Sequence, residues 1–129
     1  MKVLLVEDEL LVAMLTEDFL ADLGHEVVAL ASCVADASSA LEQHEPDFAI
    51  LDVNLGLEHS FPVAKQLEER EIPYIFVTGY GAVGIVEPYR MHPVLAKPFA
   101  VHQLAAAIIA ELSRVGMHHA GGRPEWERT

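Results

Sequence analysis

The sequence has a single cysteine, Cys33, so no internal disulfide can form and zinc sites built from several thiolates are excluded. Basic residues are scarce too: 8 Lys and Arg stand against 20 Asp and Glu, for a net charge of −12. Contacts to a phosphate backbone need clustered Lys and Arg, so no nucleic-acid partner is expected. No apolar run approaches the roughly 20 residues that a membrane helix needs, so no membrane partner is expected either. The segment Met1-Lys2-Val3-Leu4-Leu5-Val6 turns acidic at Glu7 and lacks a small-residue cleavage site. It does not read as a secretion signal, and a cytoplasmic location is expected. Internal repeats and low-complexity stretches are absent.

What remains is the composition of one globular domain: 129 residues, 52% apolar and 22% charged. Five short apolar runs stand out, Val3–Val6, Val27–Ala31, Phe48–Leu51, Tyr74–Val77 and Val94–Ala96. Each is continuous rather than alternating, as in strands of a parallel sheet buried on both faces. Stretches with helical spacing separate most of them. Leu11, Leu15, Phe19 and Leu23 mark a first helix, with Gly24 as its stop. Ala35, Ala37, Ala40 and Leu41 mark a second, ended by Pro46. A third spans Phe61–Arg70 with Pro62 in its first turn. Val101, Leu104, Ile108, Leu112 and Val115 form the stripe of the last.

Gly79, Gly81, Gly84, Pro88 and Pro93 crowd the segment between the fourth and fifth strands, which predicts a short or irregular fourth helix. From residue 116 to 129 the chain is polar and Gly-rich and is expected to be a disordered tail, leaving residues 1–115 as the domain. A βα unit repeated about five times predicts an α/β fold: a doubly wound, five-stranded parallel sheet of the flavodoxin-like type, in the order 2-1-3-4-5. In such a fold, function sits beyond the carboxyl ends of the strands.

The chemistry-bearing residues fall at those ends. Glu7 and Asp8 follow the first strand, Asp52 closes the third, Thr78 the fourth and Lys97 the fifth. Three carboxylates in one pocket repel one another unless a cation compensates. Hard oxygen donors suit Mg²⁺, which uses one or two carboxylates together with a substrate phosphate. A carboxylate can also act as a nucleophile and form an aspartyl-phosphate. Lys97 would add positive charge, and the Thr78 hydroxyl can donate to a phosphoryl oxygen.

Val-Glu-Asp-Glu (6–9), Leu-Asp-Val-Asn-Leu (51–55), Val-Thr-Gly-Tyr (77–80) and Ala-Lys-Pro-Phe (96–99) together resemble the four signature segments of response-regulator receiver domains, over roughly residues 2–114. The resemblance implies that Asp52 is the phosphoacceptor and that Asp8 binds Mg²⁺ directly. It implies that Glu7 acts through a metal-bound water, and that the backbone carbonyl of Asn54 is a further ligand. Thr78 and Lys97 would contact the phosphoryl group, and the Lys97–Pro98 peptide is expected to be cis.

Two features depart from the common pattern. Val94 stands where many receivers have an aromatic switch residue, and the fourth helix is weak. Together with Pro73-Tyr74-Ile75-Phe76-Val77-Thr78-Gly79-Tyr80 they resemble the FATGUY group of single-domain receivers. That resemblance implies a histidine kinase partner, of HWE type or related to it. With Val94 unable to take the aromatic role, Thr78 and Tyr80 are the expected switch residues.

Bland readings stand beside these. Glu7, Asp8 and Glu9 alone could be an acidic turn at a helix start, Lys97-Pro98 a surface turn, and Thr78 a β-branched strand residue. None explains why all these residues sit at strand ends. The seven histidines are scattered, and no metal site is expected among them. Cys33, at a helix start, reads as an inert cysteine or a mildly activated thiol. The apolar Leu104–Ala110 stretch is either a buried helix or a docking or dimerisation face, and a monomer or weak homodimer is expected.

The leading expectation is a phosphorylation-controlled module. It takes a phosphoryl group from a histidine kinase or phosphotransfer protein onto Asp52 and signals by contact with a downstream protein, catalysing only its own phosphorylation and dephosphorylation. A phosphate sink or phosphorelay intermediate is the alternative. A Mg²⁺-dependent phosphatase-like enzyme is a third, which would need a substrate cap and a second acid that the sequence does not display.

Overall fold

Each apolar run becomes a strand. The computed structural model describes residues 1–79 and 89–118, in the order β1 (Lys2–Val6), α1 (Leu10–Asp22), β2 (Glu26–Ala31), α2 (Val34–Gln43) and β3 (Phe48–Asp52). Two short strands follow, β4 (Asn54–Leu55) and β5 (Glu58–His59), then α3 (Phe61–Glu69) and β6 (Tyr74–Thr78). A 3-10 turn (Tyr89–Met91), β7 (Val94–Ala96) and α4 (Val101–His118) complete the described chain. The main sheet is parallel throughout and runs β2-β1-β3-β6-β7, the expected order once the β4–β5 hairpin is set aside.

The strands are apolar at consecutive positions because alternate side chains enter two different cores. Leu4, Val6, Ala49, Leu51, Tyr74 and Phe76 pack with Ala37 and Leu41 of α2 and with Val63 and Leu67 of α3. Val3, Leu5, Phe48, Ile50, Ile75 and Val77 pack on the other face with Ala13 and Leu20 of α1 and with Leu104 and Ile108 of α4. Full burial of one such side chain contributes about 1.5–3 kcal/mol. That holds the strand ends, and what they carry, in a fixed frame.

Gly24 stops α1 as expected. Its φ is 85°, and the N–H groups of Gly24 and His25 donate to the carbonyls of Ala21 and Leu20 at 3.0 and 2.8 Å. This is a Schellman cap. The face of α1 follows the expected stripe only in its second half, where Phe19 and Leu23 pack against the core. Ala13, Thr16 and Leu20 are buried, whereas Leu11 is 81% and Leu15 47% exposed. Leu10 through Leu15 is apolar without interruption, so helical spacing alone could not choose a face. Cys33 caps α2, its Sγ accepting from the Asp36 N–H at 3.5 Å.

In α4, Leu104 and Ile108 are buried as expected, and Glu111 is buried with them. The helix continues through His118; residues 119–129, the rest of the expected tail, lie outside the described residues. So do residues 80–88, which hold most of the expected fourth helix and Tyr80.

Candidate phosphoacceptor pocket

At the carboxyl edge of the sheet, β1 ends in Val6 and delivers Glu7, Asp8 and Glu9, while β3 ends in Asp52. Parallel pairing of β1 with β3 sets Val6 beside Leu51, and the two acidic ends therefore meet. Pairing of β6 with β7 sets Thr78 beside Ala96, and the Lys97 N–H donates to the Thr78 carbonyl at 2.9 Å. Lys97 is thereby aimed across the edge. Its Nζ lies 2.9 Å from Asp52 Oδ2, 3.0 Å from Glu7 Oε1 and 3.1 Å from Glu9 Oε1. The Lys97–Pro98 peptide is cis.

Glu7 and Asp52 are buried, whereas Asp8 and Glu9 are exposed. One oxygen from each of these four carboxylates lies within 4.8 Å of the others. The β4–β5 hairpin closes the pocket from the side. Its turn residue Gly56 has φ 69°, and a Cβ there would sit 4.0 Å from Asp8 Oδ2. Asn54 opens the hairpin, its N–H 3.3 Å from Asp52 Oδ1. Thr78 is buried at the end of β6.

Burial, and after it a hydrogen bond with Asp52, push the Glu7 carboxyl up to about 7, against the opposing Glu9 N–H and Lys97. Burial alone would lower the Lys97 ammonium; hydrogen bonds with Asp52, Glu7 and Glu9 outweigh it and hold the group above its usual range. A carboxyl that keeps its proton toward neutral pH beside three others is the mark of excess negative charge. The donors are all hard oxygens, so the residues present fit a divalent cation such as Mg²⁺.

Comparison with known proteins settles the family. The family model of the response regulator receiver domain matches residues 3–109. The chain belongs to this family. The receiver is 31% identical over 117 residues to the transcriptional regulatory protein PdtaR of Mycobacterium tuberculosis, a match covering 88% of this chain and 57% of PdtaR. The chain thus spans little more than half the length of that curated relative. Among solved structures, SdrG from Sphingomonas melonis Fr1 superposes with a TM-score of 0.79 at 45% identity, over 86% of this chain and 95% of SdrG. A BeF3-activated conformation of SdrG, assigned to Pseudomonas melonis Fr1, gives 0.74 at 44% identity, over 84% and 93% of the two chains. The receiver is therefore a signal-transduction domain of the two-component type.

The fold brings Glu7, Asp8, Asp52 and Lys97 together, with Asn54 and Thr78 on the same edge; Tyr80 lies outside the described residues. Sequence reasoning missed Glu9 as a partner of Lys97, although its place in Val-Glu-Asp-Glu was a signal. It also missed the hairpin, whose strands are too short to show a pattern. Among the described residues, no helix is long and apolar enough to cross a membrane.

Proposed function

We propose that the receiver accepts a phosphoryl group on Asp52 from a histidine kinase or a phosphotransfer protein, and that the phosphorylated form signals by contact with a downstream protein. The observation that carries this reading is Asp52 Oδ2 at 2.9 Å from Lys97 Nζ inside a pocket of four carboxylates. An Asp52 oxygen attacks phosphorus, the O–P bond forms and the P–N bond to the donor histidine breaks. The electron pair of that bond stays on the imidazole, which takes up a proton.

Lys97 turns from Asp52 to a phosphoryl oxygen and balances its charge. Asp8, Asp52, Glu7 (through a water) and the Asn54 carbonyl would hold Mg²⁺, which when bound neutralises charge on the transferring phosphoryl group. Thr78 donates its hydroxyl to a phosphoryl oxygen and carries the change into Gly79 and the connection beyond, because Val94 has no ring to reorient. A relative with 44% identity that has been solved in a BeF3-activated form supports this reading, since BeF3 mimics a phosphoryl group.

Backbone NMR with Mg²⁺ and beryllofluoride tests it. Shifts at Thr78, Gly79 and Lys97 are expected in the wild type and none in Asp52→Asn. Equal shifts in the variant would rule out Asp52 as the seat of the group.

A further inference from the structure

A second polar cluster lies at the opposite, amino edge of the sheet, centred on His92. The ring is 4% exposed. It stacks on Tyr74 with centroids 3.9 Å apart and stands edge-on to Phe76 at 6.3 Å. Both nitrogens face acceptors. Nε2 is 2.7 Å from Glu68 Oε1 of α3, and Nδ1 is 2.8 Å from Glu111 Oε2 of α4 and 3.2 Å from the Tyr74 carbonyl. A neutral imidazole has one N–H and can donate to only one of these two carboxylates, whereas an imidazolium can donate to both.

Both carboxylates also take bonds from other donors. The Tyr74 hydroxyl donates to Glu68 Oε1 at 2.8 Å and the Tyr74 N–H to Glu111 Oε2 at 3.1 Å. Arg114 donates through Nε to Glu111 Oε1 at 2.8 Å and through Nη2 to Oε2 at 3.2 Å. Arg114 Nη2 also lies 3.3 Å from His92 Nδ1. Donation there to a neutral His92 would leave Nδ1 and Glu111 Oε2 facing each other, lone pair to lone pair, at the 2.8 Å contact.

His92 occupies a joint of the chain. Its N–H closes the 3-10 turn on the Tyr89 carbonyl at 3.2 Å, and the next residue, Pro93, accepts from the Phe76 N–H at 3.0 Å. At the other end of the turn, Tyr89 stacks on Phe61 with centroids 5.4 Å apart, and Phe61 lies 5.0 Å from the ring of His59. His59 pairs with Asn54 at the phosphoacceptor pocket.

We propose that His92 is a proton-operated latch: as an imidazolium it fastens the Tyr89–His92 end of the β6–β7 connection to α3 through Glu68 and to α4 through Glu111, and loss of the proton releases it. The latch gives the receiver a second input, pH, that acts apart from Asp52 on the Tyr89–His92 turn. Among the described residues the titratable groups in contact with His92 are Glu68 of α3, Tyr74 of β6, and Glu111 and Arg114 of α4. Burial pushes the Tyr74 phenol up, reinforced by Glu68. Burial would also raise Glu111, but hydrogen bonds from His92 and Arg114 outweigh it and hold the carboxyl below its usual range. Neither group changes charge near neutrality.

The test is an NMR titration of the full, unphosphorylated chain from about pH 5 to about pH 8, the range in which histidines change charge. Ring signals of His92 are followed together with amide shifts and hydrogen exchange, corrected for the intrinsic rate, at Tyr74, Tyr89 and His92. One shared transition is expected, with about tenfold loss of protection on its high-pH side, the scale of a lost buried hydrogen bond to a charged group. His92→Gln should abolish it. Glu68→Gln, on a side chain 49% exposed, should keep the fold and move the transition to lower pH by removing one negative partner. The latch is overturned if the amide transition persists in His92→Gln, if His92 titrates without the amides, or if Glu68→Gln leaves the transition in place.

Discussion

Lys97 Nζ reaches Asp52 Oδ2 at 2.9 Å across 45 positions of sequence, and the same ammonium meets Glu7 at 3.0 Å and Glu9 at 3.1 Å. Removing one partner of a mostly buried ionic group leaves the others uncompensated. Lys97→Met is expected to destabilise the metal-free protein by about 3 kcal/mol, the low end for a broken buried pair, because Glu7 can take a proton. Millimolar-order Mg²⁺ should restore more stability to the variant than it adds to the wild type. Denaturant unfolding with and without Mg²⁺ measures both. Equal gains in the two proteins would count against a shared pocket.

Glu7 sets a pH dependence of its own. Its folded value is raised from 4.5 to about 7, so between those values the folded state binds more protons than the unfolded one. The stability this group contributes is full below about pH 4.5 and is lost as pH rises to about 7. Glu7→Gln should remove that decline, and Mg²⁺ should shrink it. Urea midpoints across the window provide the check.

Glu111 has the opposite sign. Its folded value lies below the usual carboxyl value, so its contribution is present above about pH 4.5 and is lost as pH falls through the folded value. Glu111→Ala leaves His92 and Arg114 without their shared acceptor and should cost about 3–5 kcal/mol. Circular-dichroism melts of the variant, followed into acid, should show weaker acid sensitivity than those of the wild type.

The face of α1 is testable by truncation. Leu20 is buried and Leu11 is 81% exposed. Leu20→Ala should cost about 2–5 kcal/mol, whereas Leu11→Ala should stay within about 0.5 kcal/mol. Similar losses would mean that the exposed row is covered in solution.

These contrasts show where the sequence could be read and where it could not. The strands were legible because burial on both faces demands continuous apolar runs, and Val3–Val6 and Tyr74–Val77 meet that demand. The acidic pocket was legible because a parallel sheet sends every strand end to one edge. The face of α1 was legible only at Phe19 and Leu23, since its first turns are apolar all round. Glu111 was overlooked although it falls on the Leu104–Ile108 stripe, three positions on. A charge on a buried face makes sense only beside its partners, and His92 and Arg114 become its neighbours through folding. Val94 sits in β7 beside Phe76.

Intact mass spectrometry after incubation with Mg²⁺ and a small phosphodonor bears most directly on Asp52. One phosphoryl group should appear on the wild type, labile as an acyl phosphate, and none on Asp52→Asn. Equal labelling of the variant, or an acid-stable adduct on the wild type, would contradict the assignment of Asp52 as the phosphoacceptor.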